Sequence, residues 1–377
     1  MPTRPLQRAD QQPLWTDPLA CLPPLPGHGG ERVNRQGTCA FATPGFNPPV
    51  GLAAVTTPRR FLELARSRLN RTASAAAAGS TASPYRATAI PGKGIGLIAT
   101  RPIRAGERVM AEPVTVLVDG QAWGQEGWEG LLAAAVEGLG EKMAGEVRGL
   151  AMPDGWTGGV EEGVVRGNAF KISGKTGGEM GWHGVFLGVS RLNHACAPNM
   201  GYHFDRDSME MRVYAAQDVW PGEELTISYV DLIQDSHTRQ ESLSATWGFT
   251  CTCQRCTRES HVLAESDSRV QQILDLWREV DDYGGGKGTP EKAELLVTLY
   301  ELEGLQARIH EAYYRAALEW NGDGDQTRAV RYARLGLDRG LLMKGEDKPF
   351  VQSLREMVKD PKDHWSWRFR VDGKEKL

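Results

Sequence analysis

The stretch Trp247-Gly248-Phe249-Thr250-Cys251-Thr252-Cys253-Gln254-Arg255-Cys256 packs three thiols into six residues. Upstream lies Arg191-Leu192-Asn193-His194-Ala195-Cys196-Ala197-Pro198-Asn199, which holds the only other cysteine in this half of the chain. In a reducing compartment such density points to zinc, because thiolates bind it tetrahedrally with sulfur about 2.3 Å from the metal. Three thiolates leave one place on the tetrahedron, and Cys196 is the natural fourth ligand. The expected metal site is therefore Cys196, Cys251, Cys253 and Cys256. A closed site of four cysteines is structural, and it joins two distant stretches of chain.

The reducing compartment is itself an expectation. The N-terminus, MPTRPLQRADQQP, has no apolar core to serve as a secretory signal. Nuclear and/or cytoplasmic residence follows, and Cys21 and Cys39 are expected to be buried or free thiols. The chain has 377 residues, with 44 basic against 48 acidic side chains and a formal charge of −4. That balance argues against a polycationic nucleic-acid binder. A 40% hydrophobic content supports a real core rather than wholesale disorder. No apolar run reaches the roughly 18 residues of a membrane-spanning helix.

Composition divides the chain into six stretches. Residues 1–84 read as a Pro/Gly/Ala-rich, partly flexible arm, with nine arginines against four acidic residues. A helical turn over Phe61–Leu69 and a short strand in Val50–Thr57 are expected within it. Residues 85–118 and 166–246 carry short β-type runs, Ile95–Thr100, Arg108–Val118, Met211–Ala215 and Leu225–Val230, without βαβ alternation. Between them, 119–165 forms an acidic, Gly-rich insert, in which Leu131–Val147 reads as helical despite its glycines. Residues 247–261 hold the three-cysteine segment. Residues 262–377 read as all-helical, with one stripe over Val270, Ile273, Leu274 and Trp277 and another over Leu295, Leu299, Leu302 and Ile309. The fold class is α+β.

Two short patterns fail on spacing. Gly174-Lys175-Thr176 lacks the glycine five positions upstream that a phosphate loop requires, since Ala169 stands there. Asn321-Gly322-Asp323-Gly324-Asp325 lacks the glycine and terminal carboxylate of a calcium loop, where Gln326 and Tyr332 stand instead.

Five pieces in order, PGKGIGLIATRPIRAGERV, GNAFKI, SRLNHACAPN, GEELTISYVDL and WGFTCTCQRC, make the chain similar to the SET-domain protein lysine methyltransferases. The branch it resembles is the SMYD (SET and MYND) family, in a form common among fungal SET proteins, over about residues 85–256. The resemblance implies a β-rich fold in which RLNHACAPN and ELTISY thread past each other into a knot-like active site. S-adenosylmethionine would sit on one face, and a lysine would enter a narrow channel from the other. Matching positions put Lys93, Gly94 and Ile95 beside the cofactor through their backbone. Asn168, Asn193 and His194 would bond its polar parts, and Phe249 would stack near its adenine. Phe170, Tyr229 and Trp247 would wall the channel, with Tyr229 as the catalytic residue. Trp247 departs from the tyrosine common there. Residues 85–195 contain no cysteine, so the family's MYND zinc finger is absent.

The expected activity is methyl transfer from S-adenosylmethionine to the ε-amine of a lysine in a histone or non-histone protein. The expected chain is monomeric, with no membrane partner and no direct nucleic-acid binding. The alternative is a catalytically silent SET scaffold acting through protein–protein interaction. The retention of Tyr229, Asn193 and His194 speaks against it.

Overall fold

The computed structural model describes residues 17–23, 37–65, 83–172, 181–283 and 286–372. The chain begins with β1 (Ala20–Cys21), β2 (Cys39–Thr43), β3 (Leu52–Thr56) and α1 (Pro58–Leu64). It continues through β4 (Tyr85–Ile90), β5 (Gly94–Ala99), β6 (Arg108–Pro113) and β7 (Val116–Asp119). Next come α2 (Trp128–Glu137), α3 (Glu141–Arg148), α4 (Val160–Asn168), β8 (Phe170–Ile172) and β9 (Trp182–Val185). The strands β10 (Asn193–His194), β11 (Met200–Asp205), β12 (Glu210–Ala215) and β13 (Glu224–Ile227) follow. Helices complete the chain: α5 (Ser236–Trp247), α6 (Ser260–Val280), α7 (Pro290–Leu302), α8 (Ile309–Asp323), α9 (Gln326–Lys344), α10 (Pro349–Lys359) and α11 (Phe369–Asp372). The class is α+β, as the sequence implies. No helix among the described residues is long and apolar enough to cross a membrane.

These elements fall into two compact units, each built from separate stretches of chain. The first holds residues 1–82, 111–191 and 204–211. Its sheet runs β1-β2-β3-β7-β9-β8, with β3 and β7 parallel and the other pairs antiparallel. Strand alternation puts Ala53 and Val55 of β3 on one face with their partners Val116 and Val118 of β7. That face buries Leu131, Leu132, Ala135 and Val136 of α2, with Val147 of α3 and Val164 and Val165 of α4, in one apolar cluster. On β2, Phe41 stacks on Phe61 of α1 at 4.0 Å. Thr57 caps α1, Pro58 fills its first turn, and Arg60 reaches the buried Asp119 at 2.9 Å.

Three expectations change in this unit. Residues 39–64 are not an arm: β2 and β3 are buried along their whole length and lie inside the sheet. The short strand expected in Val50–Thr57 is β3; the alanines of β2 hid that strand, because a strand of small residues has little β-propensity of its own and forms through its neighbours. The turn expected over Phe61–Leu69 is described only to Ala65, and the remainder lies outside the described residues. Cys21 and Cys39 are not free thiols but a disulfide, joining residues directly opposite in the β1–β2 ladder. The acidic insert is helical, as expected, but forms a layer of several helices. Its expected single helix breaks at Gly138-Leu139-Gly140, where Gly140 takes a φ of 88°, into α2 and α3. The acidic Glu129, Glu137, Glu141 and Glu146 point to solvent while the apolar residues between them pack inward.

The second unit holds residues 83–110, 192–203 and 212–377. Its sheet runs β10-β13-β5-β4, with β10 and β13 parallel. The strand expected over Leu225–Val230 ends at Ile227, which releases Ser228 and Tyr229 from the ladder. In the helical part, Val270, Ile273 and Leu276 of α6 pack with Leu296, Leu299 and Tyr300 of α7 and Ile309 of α8. The stripe expected on α7 is rotated. Leu295 and Leu302 are exposed, and the buried face carries Ala293, Leu296, Val297 and Tyr300. Tyr300 is buried because its hydroxyl finds Glu311, a partner the apolar pattern did not count.

Candidate active site and metal centre

All four clustered cysteines lie in the second unit. Helix α5 ends at Trp247, and Gly248 takes a left-handed conformation, φ 80°, that turns the chain toward Cys251. Gln240 of α5 then clamps Cys251 from both sides: its Oε1 accepts from the Cys251 N–H and its Nε2 donates to the Cys251 carbonyl, each at 2.8 Å. The sulfurs of Cys196, Cys251, Cys253 and Cys256 all lie within 4.8 Å of one another. Cys196 Sγ is 3.5 Å from Cys256 Sγ. A tetrahedron with sulfur about 2.3 Å from its centre has edges of about 3.8 Å, so the set fits a zinc ion. The Cys196 N–H points at Cys253 Sγ at 3.4 Å. Hydrogen bonds from Cys196, Cys251 and Cys256 hold the Cys253 thiol below the usual thiol range, while hydrogen bonding within the same cluster pushes the Cys196 thiol up. Four protein sulfurs would close the tetrahedron around such an ion, whose chemistry here would be to hold chain together.

Arg255, inside the cysteine loop, is 1% exposed. Its Nη1 donates to the carbonyls of Cys196, at 3.1 Å, and Leu232, at 3.2 Å. Its Nη2 pairs with Glu303 at 2.8 Å, and Glu303 also takes Arg269 at 2.6 Å. The loop is thus tied to α6 and the end of α7 by buried charge.

Beside the cysteines, β10 pairs in parallel with β13, Asn193 opposite Thr226 and His194 opposite Ile227. Tyr229, freed from the strand, donates its N–H to His194 Nδ1 at 3.0 Å. Since Nδ1 accepts, the ring proton belongs on Nε2, which faces Cys196 Sγ at 3.3 Å. Burial pushes the His194 pKa down to about 4, which keeps the ring neutral. The Tyr229 hydroxyl donates to the Leu192 carbonyl at 2.9 Å. Burial, then the charge of Glu224, pushes that phenol well above its ordinary range, so the proton stays on. Trp247 lies 5.2 Å from the Tyr229 ring and Phe249 lies 6.4 Å from it, the latter edge-on.

Glu224 at the start of β13 gathers the remaining parts. Its Oε2 pairs with Lys93 Nζ at 2.7 Å, and its Oε1 accepts from Asn193 Nδ2 at 2.9 Å. The approach is possible because residue 96 is glycine: a Cβ there would lie 2.6 Å from Asn193 Nδ2 and 3.0 Å from Glu224 Oε1. The turn before β5 is open. Gly92 and Gly94 both have positive φ, a Cβ on either would meet nothing within 4 Å, and Ile95 is 43% exposed.

The structure thus brings together Lys93, Asn193, His194, Tyr229, Trp247, Phe249 and the four cysteines, with Gly94 and Ile95 at the start of β5. Asn168 and Phe170 belong to the first unit. There Asn168 closes α4, its Nδ2 donating to the carbonyls of Ala151 and Val164 at 2.6 and 2.8 Å. Phe170 packs edge-on against Phe186 at 5.9 Å. Two readings sharpen. Both His194 ring nitrogens are used inside the protein, so neither is left to bond a ligand. The Lys93 ammonium is likewise paired. Sequence reasoning missed Glu224, although it stands in the quoted GEELTISYVDL, because nothing in a strand's first residue says which carboxylate is aimed inward.

Residues 94–230 match the family model described as SET domain. The chain is 29% identical over 296 residues to the histone-lysine N-methyltransferase set5 of Schizosaccharomyces pombe, covering 74% of this chain and 85% of that protein. It is 45% identical over 78 residues to the histone-lysine N-methyltransferase SET5 of Meyerozyma guilliermondii, 20% of this chain and 16% of that one. With the N-lysine methyltransferase SMYD2 of Bos taurus it shares 33% identity over 105 residues, 28% of this chain and 24% of the other.

Proposed function

Because residues 94–230 are a SET domain, we propose that this chain is an S-adenosylmethionine-dependent protein-lysine N-methyltransferase. The single observation that carries the reading is Tyr229, buried, protonated and fixed at both its backbone and its hydroxyl beside Trp247 and Phe249. S-adenosylmethionine, when bound, supplies a methyl group on a cationic sulfur that a neutral amine displaces in line.

The rest is work for the chain's own residues. Free lysine titrates near 10.4 and is almost wholly charged at neutral pH. An aromatic channel walled by Tyr229 and Trp247 disfavours the ammonium form by desolvation and lowers that value. The Tyr229 proton is committed to the Leu192 carbonyl, so its oxygen presents lone pairs to the channel. It accepts a hydrogen bond from the substrate amine and aims the nitrogen lone pair, which is where alignment contributes to rate. The open backbone of Lys93, Gly94 and Ile95 receives the cofactor. The Asn193 amide nitrogen is spent on Glu224, so its Oδ1 faces the ligand as an acceptor. The His194 backbone and the face of Phe249 complete the cofactor contacts. Zinc on Cys196, Cys251, Cys253 and Cys256 holds this arrangement without taking part in transfer.

The acceptor is a lysine-bearing protein, histone or non-histone, and the chain acts on it as a monomer without direct nucleic-acid binding. Incubation with methyl-labelled cofactor and either purified histones or a cell extract tests the reading. Label appearing on a protein lysine supports it. Cofactor that binds with no label transferred to either sample would favour the silent scaffold.

A further inference from the structure

The segment that leaves the candidate site runs straight into the helical tail. Tyr229 is followed by Val230 and Asp231, then by Leu232 and Ile233, which are buried with Val270 and Ile273 of α6 and Ile309 of α8. Asp231 folds this stretch into a turn, its Oδ1 accepting from the Ile233 N–H at 2.8 Å. The Leu232 carbonyl accepts from Arg255 at 3.2 Å. The same Asp231 oxygen accepts a second donor, Nη1 of Arg308, the residue that precedes α8.

Three helices prepare that donor. Arg308 Nε and Nη2 form a fork on the Glu311 carboxylate of α8, at 3.0 and 2.9 Å. Glu311 is itself held by the Tyr300 hydroxyl of α7 at 3.2 Å. The guanidinium lies over the Trp277 ring of α6, 5.6 Å from its centre. A planar guanidinium with two of its nitrogens committed has one direction left for the third. Stability alone does not account for the pair it makes. Asp231 is 52% exposed, and an ion pair so open to water contributes little. What the pair fixes is position.

We propose that Arg308 is a positioning residue for Tyr229: α6, α7 and α8 aim its guanidinium at Asp231, and the turn so held fixes the tyrosine two residues earlier. The inference rests on the reading of Tyr229 as the residue that aligns the acceptor amine. Tyr229 is then held from two sides. Its amide and hydroxyl bond His194 and Leu192, and the chain that follows it is bonded to the helical tail. Loss of the Arg308 contact leaves those two bonds and the Arg255 contact in place. The phenol stays in the site but wanders from the in-line geometry, where an error of about 1 Å can cost about a hundredfold in rate.

The test uses the full chain. Single-turnover transfer from saturating methyl-labelled S-adenosylmethionine to histones is read beside amide hydrogen exchange of the cofactor-free chain. Arg308→Met should slow the transfer step about tenfold, with the S-adenosylmethionine dissociation constant within about threefold of the parent's. Arg308→Lys, which keeps the charge but not the fork, should slow it nearly as much. Adding Asp231→Asn to Arg308→Met should cost nothing further, because the two residues act through one contact. Without cofactor, the Tyr229 amide should exchange about tenfold faster in Arg308→Met, while the buried amides of α10 keep the parent rate. Transfer or Tyr229 exchange at the parent rate, losses that multiply in the double variant, or exchange accelerated over the whole helical tail would overturn the proposal. Arg308→Lys gives the same readings if the methionine variant does not fold. Tyr229→Phe transferring at the parent rate, or a parent chain that transfers nothing, would instead overturn the tyrosine reading, and exchange at Tyr229 would still decide whether Arg308 holds it.

Discussion

The two units bury opposite things. In the first, the central cluster is apolar from Ala40 to Val185: alanines and valines of the sheet against leucines and valines of three helices. The second unit has apolar helices too, but it also buries Arg239, Arg255, Glu303, His310, Glu319 and Arg370, together with Cys196 and Cys251 of the cysteine cluster. An apolar core tolerates exchange among residues of similar volume and is stabilised in many small increments. Buried charges and thiolates tolerate almost nothing, because each removed partner strands another. The candidate site lies in the unit built the second way.

Removing a metal ligand should break that contrast most severely. Cys253→Ser is expected to abolish stoichiometric zinc and to cost more than about 5 kcal/mol of stability, since the binding energy of a structural zinc is folding energy. Metal analysis beside chemical denaturation checks it. Leu132→Ala is the matching change in the apolar core, where Leu132 is fully buried. It should cost about 3 kcal/mol and leave the zinc content at one per chain. If it released zinc, the two modes of stabilisation would not be separable.

Acid reads the buried polar unit directly. His310 is 1% exposed, its ring lies 5.4 Å from Phe350, and neither ring nitrogen has a hydrogen-bond partner among the described residues. Burial, helped by Lys344, Arg308 and Arg315, pushes its pKa down to about 3. The unfolded chain restores about 6.5, so the folded form favours neutral His310. Its contribution is complete above about pH 6.5 and is lost as pH falls toward 3, amounting to about 2 kcal/mol between pH 7 and pH 5. His310→Leu should flatten that limb of the stability curve, and an unchanged slope would remove His310 from the account.

The smallest effect belongs to Glu224, which holds Lys93 and Asn193. Glu224→Ala should raise the dissociation constant for S-adenosylmethionine about tenfold, because it strands two hydrogen-bonding groups, and leave saturated turnover within about threefold. Calorimetry and saturation kinetics separate the two. A fall in turnover alone would mean that Glu224 acts on the tyrosine rather than on the cofactor side.

Legibility in the sequence follows the same division. The cysteine cluster was readable because metal chemistry restricts both residue type and spacing, whereas Tyr229, Asn193 and His194 were singled out by the resemblance to the SET-domain methyltransferases. The sheet of the first unit was legible only in part. Leu52-Ala53-Ala54-Val55-Thr56 could be read as a short strand, but its burial could not, because that is supplied by α2 and β7, which lie further along the chain. The disulfide escaped for a related reason, since only the β1–β2 register brings Cys21 opposite Cys39. Arg239 escaped because α5, Ser236–Trp247, alternates polar and apolar residues too weakly to show its buried face.

The central claim concerns Tyr229, and single-turnover methyl transfer by Tyr229→Phe, measured beside cofactor affinity, tests it most directly. The account predicts a loss of at least about a hundredfold in the transfer step, the scale set by losing alignment of the amine, with the S-adenosylmethionine dissociation constant unchanged within about threefold. Transfer at the parent rate would contradict it.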